Sequence, residues 1–267
     1  MKASEIKSCY IGPEVSPEQF ISEHFFLYLA KGTMTAYDGN REYKIKAGEY
    51  GLAKRNHLAK YNKQPVNGDF EKVVIIFDQE FLKAFSQQYP FTAGSVRSSG
   101  ALLKLEKSPL VENFIQSLAA YFDGKGVIDK TFLFIKRSEL LLILLRERPE
   151  LASVFFDFGS PGRIDLEEFM NRNFRFNVSL RRWAVLTGRS LTSFKKDFEK
   201  IFHDTPSHWL VQKRLQEAYF LISKKGRKAS DVYLEVGFED LSHFSFAFKK
   251  SFGLSPTQLT EGKKAPA

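Results

Sequence analysis

One pattern is written twice in this chain, 50 positions apart, and it leaves little freedom in how the last third can fold. The first copy runs Ser190-Leu191-Thr192-Ser193-Phe194-Lys195-Lys196-Asp197-Phe198, followed by Phe202, Thr205 and Pro206. The second runs Asp240-Leu241-Ser242-His243-Phe244-Ser245-Phe246-Ala247-Phe248, followed by Phe252, Ser255 and Pro256. Each opens on a residue able to cap a helix N-terminus, Ser190 or Asp240. Each places Phe at i, i+4 and i+8, along one face of an α-helix. Each is expected to stop at its Pro, which cannot continue a helix interior.

A shorter helical stretch precedes each copy, Leu180–Leu186 before Gly188 and Ala229–Val236 before Gly237. A Gly in the link lets the backbone turn sharply between two helices. Helix, Gly turn and capped helix make up the helix-turn-helix pattern, whose second helix lies in the DNA major groove. A lone copy is a weak signal that any small helical bundle shows. Two copies in register, joined by a long helix over His208–Lys224, are far more specific. Trp209, Leu210, Leu215, Ala218, Leu221 and Ile222 form that helix's expected buried side.

The region resembles the DNA-binding domain of the AraC/XylS family of bacterial transcription regulators. The carrying residues are Ala184, Gly188, Ser190 and Phe194-x3-Phe198-x3-Phe202-x3-Pro206, with Arg214 and Ala218 in the connecting helix. Val232-x3-Val236-Gly237-Phe238 and Phe244-x3-Phe248-x3-Phe252-Gly253-x2-Pro256 complete the set. There are departures: Tyr233 stands where the family usually has Ala, and His203 replaces the Gly matched in the second copy by Gly253. Phe246 falls where members usually show a polar, base-facing residue.

Residues off the Phe faces point outward: Thr192, Ser193, Lys195 and Lys196 in the first helix. The resemblance implies base-reading positions at Thr192, Lys195 and Lys196, and at Leu241, Ser242 and Ser245 in the second. Lys donates equally well to guanine O6/N7 and to phosphate, so both roles stand open. For Leu241 and Phe246 the two readings are a thymine methyl contact and core packing. Ser190, at a helix N-terminus, is a candidate phosphate contact through backbone N–H groups. Arg181, Arg182, Lys249 and Lys250 are candidate phosphate neighbours, an ordinary solvated charge being the plain alternative for each.

Charge supports the same end of the molecule. The net charge is +9, and residues from 160 onward hold 19 Lys/Arg against 12 Asp/Glu, leaving 21 against 19 for the rest. That asymmetry is the footprint expected of a segment facing a polyanion such as double-stranded DNA. The only cysteine is Cys9, which rules out an intrachain disulfide and fits a cytoplasmic setting. Met1–Lys7 carries no apolar core of a secretory signal, and the longest apolar run, Leu140–Leu145, falls far short of the ~20 residues of a membrane span.

The N-terminal part reads as strands. Phe25–Leu29 is an apolar run, Asp38-Gly39-Asn40 is a hairpin turn between Thr33–Tyr37 and Glu42–Ile45, and Lys72–Phe77 is a core strand. Short strands with Gly turns suggest a small β-barrel or sandwich. Gly32 and Ala47-Gly48-Glu49-Tyr50 make it similar to the cupin-like sensory barrel of many AraC-type regulators. Cupins often hold a metal, but His24 and His57 are the only histidines in this stretch and lie far apart, so no metal or other cofactor is expected. Tyr28, Tyr37, Tyr43 and Tyr61 are candidates for lining an effector pocket in the barrel mouth; core packing is the alternative. Three readings of the barrel stay open: it holds a small effector, it binds a regulatory protein, or it has lost its ligand.

Helices are expected over Gln79–Ala93, ending near Pro90, and over Pro109–Phe122 and Lys130–Arg148, with a loop over Gly94–Gly100 and a stop at Gly124-Lys125-Gly126. The Leu-rich third helix is apolar on several faces. The resemblance implies that such helices often form the dimer interface, so a homodimer through Lys130–Arg148 is expected, with purely intrachain packing as the alternative, and it implies RNA polymerase as a partner. The expected fold is α+β: a cupin-like β-barrel with helices over 1–155, a Gly/Pro-bearing linker over 156–163, and an all-α domain over 164–267 beginning with a helix at Asp165–Asn173. No G-x-S-x-G, H-E-x-x-H, Walker loop or C-x-x-C is present, so no enzyme is expected. Two other readings are kept: a metal-dependent cupin-type enzyme with a fused helical domain, and an adaptor whose helix-turn-helix units no longer touch DNA.

Overall fold

The computed structural model describes residues 6–10, 19–89, 100–121 and 128–261. The chain divides into two compact units: the first runs to Gly159, and the second comprises Ser160 onward together with a short stretch ending at Gln19.

The first unit is mainly antiparallel sheet. Its strands are β1 (Ile6–Tyr10), β2 (Phe20–Ile21), β3 (His24–Lys31), β4 (Thr33–Tyr37), β5 (Glu42–Lys46), β6 (Tyr50–Ala53), β7 (His57–Leu58), β8 (Lys60–Gln64), β9 (Glu71–Phe77) and β10 (Leu102–Lys104). Five pair in the order β1-β9-β3-β6-β10, three in the order β5-β4-β8, and β2 pairs with β7. The expectation of a barrel therefore needs correcting: the described strands form separate sheets, not a closed ring. The cause lies at the end of β3. Its register with β9 shifts between Leu29 and Lys31, and the chain then passes through Gly32 into β4, which pairs only with β5 and β8. One ladder ends where the next begins.

Strand alternation then explains why Phe25–Leu29 is apolar throughout. Leu27 and Leu29 pack between the sheets with Met34, Ile45, Phe70 and Leu102. On the opposite face Phe26 joins Leu52, Ile75 and Phe77 under a layer of helices. These are α1 (Gln79–Gln88), α2 (Pro109–Leu118), α3 (Lys130–Glu147) and the short α4 (Ala152–Phe155). Helix α1 ends at Gln88, close to the expected stop near Pro90, because Tyr89, preceding that proline, is held extended (φ −126°, ψ 95°). The loop over 94–99 and the stop at 124–126 lie outside the described residues.

Asp78 ties two of these helices together. Its Oδ1 accepts from Phe81 N at 2.8 Å, capping α1, and its Oδ2 accepts from Arg137 of α3 at 2.6 Å. The Leu-rich half of α3 is buried at Leu140, Leu141, Leu144 and Leu145, while Phe132, Ile135 and Leu142 are exposed. Those three follow i, i+3 and i+10 spacing and so share one helix face.

The second unit is helical: α5 (Leu166–Asn173), α6 (Leu180–Leu186), α7 (Leu191–Phe202), α8 (Pro206–Lys225), α9 (Ala229–Val236), α10 (Leu241–Phe252) and α11 (Pro256–Glu261). The duplication is physical. Phe194 and Phe198 are fully buried, as are Phe244 and Phe248. The rings of Phe198 and Phe202 meet at 4.3 Å and lean on Trp209; those of Phe248 and Phe252 meet at 4.7 Å and lean on Tyr219. The two prolines act later than expected. Helices α7 and α10 end in left-handed caps, His203 (φ 53°) and Gly253 (φ 76°), and Pro206 and Pro256 open the next helices instead.

Candidate nucleic-acid interface

Helices α7 and α10 are each held from beneath by a Phe ladder and at the start by a side-chain cap. Ser190 Oγ accepts from Ser193 N at 3.2 Å, and Asp240 Oδ1 from His243 N at 2.6 Å. Burial of the ladders turns the opposite faces to solvent. On α7 that face brings together Thr192, Ser193, Lys195 and Lys196, all exposed. On α10, Leu241 is 39% exposed, Ser242 is exposed, and Ser245 is half-buried. Ser190, Arg181, Lys249 and Lys250 are exposed, and Arg182 is half-buried. Phe246 is 71% exposed, which removes core packing as its role; Leu241 is likewise outside the core.

The turns preceding α7 and α10 need glycine. Gly188 has φ 67°, and a Cβ there would lie 2.4 Å from the Gly162 carbonyl; Gly237 has φ 101°, with Arg175 O at 2.6 Å. Both positions combine left-handed backbone with close approach of another chain segment.

Around the first turn sits a network that sequence inspection missed. Arg189 Nε donates to Asp197 Oδ2 at 3.0 Å, and its Nη1 donates to Ile164 O and Thr187 O at 3.0 and 2.6 Å. Arg163 donates to the same Asp197 oxygen. The Arg189 hydrogen bond, reinforced by Arg163, holds the Asp197 carboxyl below the usual carboxylate range against a smaller opposing effect of burial. Asp197 thus fixes the rotation of α7 relative to the residues before α5. The only hint in the sequence was an Arg and an Asp eight positions apart, which carries no direction.

In the N-terminal unit the four tyrosines do not converge. Tyr28 packs on the helical side of the large sheet. Tyr37 is exposed, and its hydroxyl donates to Gly39 O at 2.8 Å. Tyr43 and Tyr61 flank Ala36 in register and face the interlayer core. Burial, then hydrogen bonding to Asp38, pushes the Tyr43 phenol up to about 12; burial alone raises Tyr61. A separate groove of about 270 Å³ opens beside Tyr50, Leu105, Ser108, Val111 and Leu144.

His24 and His57 sit on either side of Arg55. His24 Nδ1 accepts from Arg55 N at 3.3 Å, and His57 Nδ1 lies 2.8 Å from Arg55 O. Among the described residues no group of three or more His, Cys, Asp or Glu side chains is placed to hold a metal ion, and no helix is long and apolar enough to cross a membrane.

Comparison with known proteins matches residues 24–154 to the family described as ExsA N-terminal regulatory domain, and residues 183–262 to a helix-turn-helix domain family. The chain is 26% identical over 184 residues to the virulence regulon transcriptional activator VirF of Yersinia enterocolitica, covering 67% of this chain and 68% of that protein. It is 21% identical over 263 residues to the HTH-type transcriptional regulator ExsA of Pseudomonas aeruginosa, covering 97% and 94%. A solved structure of apo ToxT from Vibrio cholerae aligns over 96% of this chain and 95% of that one, with 15% identity and a TM-score of 0.45.

Proposed function

Because this chain belongs to the AraC family of DNA-binding transcription regulators, with an N-terminal regulatory domain and a double helix-turn-helix, we propose that α7 and α10 read successive major grooves on one face of duplex DNA. Grooves on one face recur about every 34 Å. The observation that carries this reading is the pairing of each buried Phe ladder with an exposed outer face, in a segment with a seven-charge basic excess.

Thr192, Ser193, Lys195 and Lys196 are the base-facing set on α7, and Leu241, Ser242 and Ser245 that on α10. Ser190, Arg181, Arg182, Lys249 and Lys250 are the phosphate set. The test uses full-length protein and a duplex selected from random DNA. Lys196→Ala should weaken binding of that duplex by roughly 1–3 kcal/mol and relax preference at one base pair if Lys196 reads a base. If it meets phosphate, affinity falls evenly across sequences and the salt slope drops by about one. Unchanged affinity at every salt concentration would remove Lys196 from the interface.

VirF is described as an activator, and activation through RNA polymerase in the cytoplasm is the role this reading assigns. A small effector or a regulatory protein at residues 1–155 supplies the input, passed through 156–163 to 164–267. The protein acts as a homodimer through α3, whose exposed Phe132, Ile135 and Leu142 form an apolar stripe. Full-length protein sedimenting as a monomer at micromolar concentration would refute the dimer, and Ile135→Glu should shift a dimer to monomer.

A further inference from the structure

We propose that Phe246 makes the second helix-turn-helix a reader of thymine methyl groups, so that the two halves of one binding site are recognised by different chemistry. The proposal rests on the DNA-binding reading above and assigns its specificity. Helices α7 and α10 each run 12 residues and superpose in sequence at an offset of 50, Phe194 on Phe244, Phe198 on Phe248 and Phe202 on Phe252. That register sets Thr192 on Ser242, Lys195 on Ser245 and Lys196 on Phe246. Where the first helix presents an ammonium directly opposite its ladder, the second presents a phenyl ring.

The ring is 71% exposed, more than any other large apolar side chain among the described residues. Its neighbours on the helix surface, Ser242 at i−4, Lys249 at i+3 and Lys250 at i+4, are exposed and polar or cationic. An apolar ring among lysines does not form the contiguous apolar patch that marks a protein-docking surface. It suits a partner that is anionic at its margins and apolar at one central point. The major groove offers that arrangement: phosphates flank it, and the thymine C5-methyl is the apolar group on its base edges. A phenyl ring neither donates nor accepts a conventional hydrogen bond, so it gains nothing specific from guanine or cytosine edges. Lys196 has the opposite preference, since an ammonium donates to guanine O6/N7. A protomer built this way binds with one orientation, its α10 half-site carrying thymine at the position beneath Phe246.

The experiment uses full-length protein and its duplex selected from random DNA, with each thymine replaced singly by deoxyuridine, which removes only the methyl group. The natural protein should lose roughly three- to tenfold in affinity at one or two clustered positions, the cost of one unburied methyl and its contacts. Phe246→Ala should lose a similar factor on the thymine duplex and become indifferent to deoxyuridine, whereas Lys196→Ala keeps the sensitivity. Because the ring is exposed, its removal leaves the Phe244–Phe248 core in place. If the natural protein binds tightly but ignores every deoxyuridine, or if Phe246→Ala retains the same sensitivity, the inference is overturned while the DNA-binding reading stands. Failure to bind any duplex overturns both.

Discussion

Arg214→Met is expected to destabilise the C-terminal unit by about 3–5 kcal/mol, the range for stripping a buried charged hydrogen-bonding group from its partners. Arg214 lies on α8 and is 8% exposed. Its Nε donates to Phe174 O at 2.9 Å and its Nη2 to Phe176 O at 2.7 Å. Those carbonyls belong to the segment between α5 and α6. The same guanidinium lies against the second turn, where a Cβ on Gly237 would come within 2.9 Å of Nε. One side chain thus joins the bridging helix, the approach to the first helix-turn-helix and the turn of the second. Burial lowers its pKa to about 10, with Glu239 opposing, so the cation persists at neutral pH and its desolvation is offset by the two carbonyls. Methionine fills similar volume but leaves both acceptors buried without donors, at about 1–3 kcal/mol each. Lysine keeps the charge yet loses the planar fork that spans two oxygens, so Arg214→Lys should also destabilise, by a smaller amount. Both tryptophans, Trp183 and Trp209, lie in this unit, which lets indole fluorescence follow its urea unfolding. A methionine variant within 0.5 kcal/mol of the natural protein would show that Arg214 is not the hub.

The contrast between Arg214 and the Phe ladders shows what a sequence can reveal here. The starts and buried faces of α7 and α10 were legible because what defines them is local: a cap at Ser190 or Asp240, and apolar residues every fourth position. Their outward faces follow from the same spacing, which groups Thr192, Ser193, Lys195 and Lys196 on one side of α7. Phe246 was ambiguous because Phe244-x-Phe246-x-Phe248 mixes two spacings, and only the ladder's fixed orientation decides which ring is left outside. The role of Arg214 depends on carbonyls 38 and 40 positions away, and carbonyls leave no mark in a sequence. The strands of the first unit were readable individually, from Phe25–Leu29 and Lys72–Phe77. Whether they close into a barrel was not, because closure depends on one register shift beside Leu29 and on which strand then takes up β4. The same long-range pairing sends Tyr28 to the helical side of the large sheet and Tyr61 to the interlayer core, a difference that no local pattern around either residue records.

Lowering the pH from 7 to 5 should weaken the N-terminal unit by about 2 kcal/mol through His24 alone, with the loss growing at about 1.4 kcal/mol per further pH unit. His24 is 3% exposed on β3, its ring edge-on to Phe155 at 5.9 Å. Its Nδ1 accepts the Arg55 N–H, and its Nε2 is buried with no hydrogen-bond partner among the described residues. A second proton would therefore place a cation in an apolar site, next to Arg55, His57 and Lys54. Burial first, then those neighbouring charges, pushes the imidazole down to about 3 from 6.5, and burial depresses His57 in the same direction. The unfolded chain thus takes up the proton before the folded one. The stabilisation is complete above pH 6.5 and drains away as pH falls toward 3. His24→Asn sets an amide oxygen near the position of Nδ1, keeps an acceptor for the Arg55 N–H, and cannot titrate. Its unfolding free energy should fall less steeply between pH 6.5 and 4, by about 1.4 kcal/mol per pH unit relative to the natural protein, while His57 preserves a residual slope. Amide exchange along β3 reports this unit and indole fluorescence the other, so the acid response can be located within one molecule. Parallel pH profiles for the natural protein and His24→Asn would place the sensitivity elsewhere.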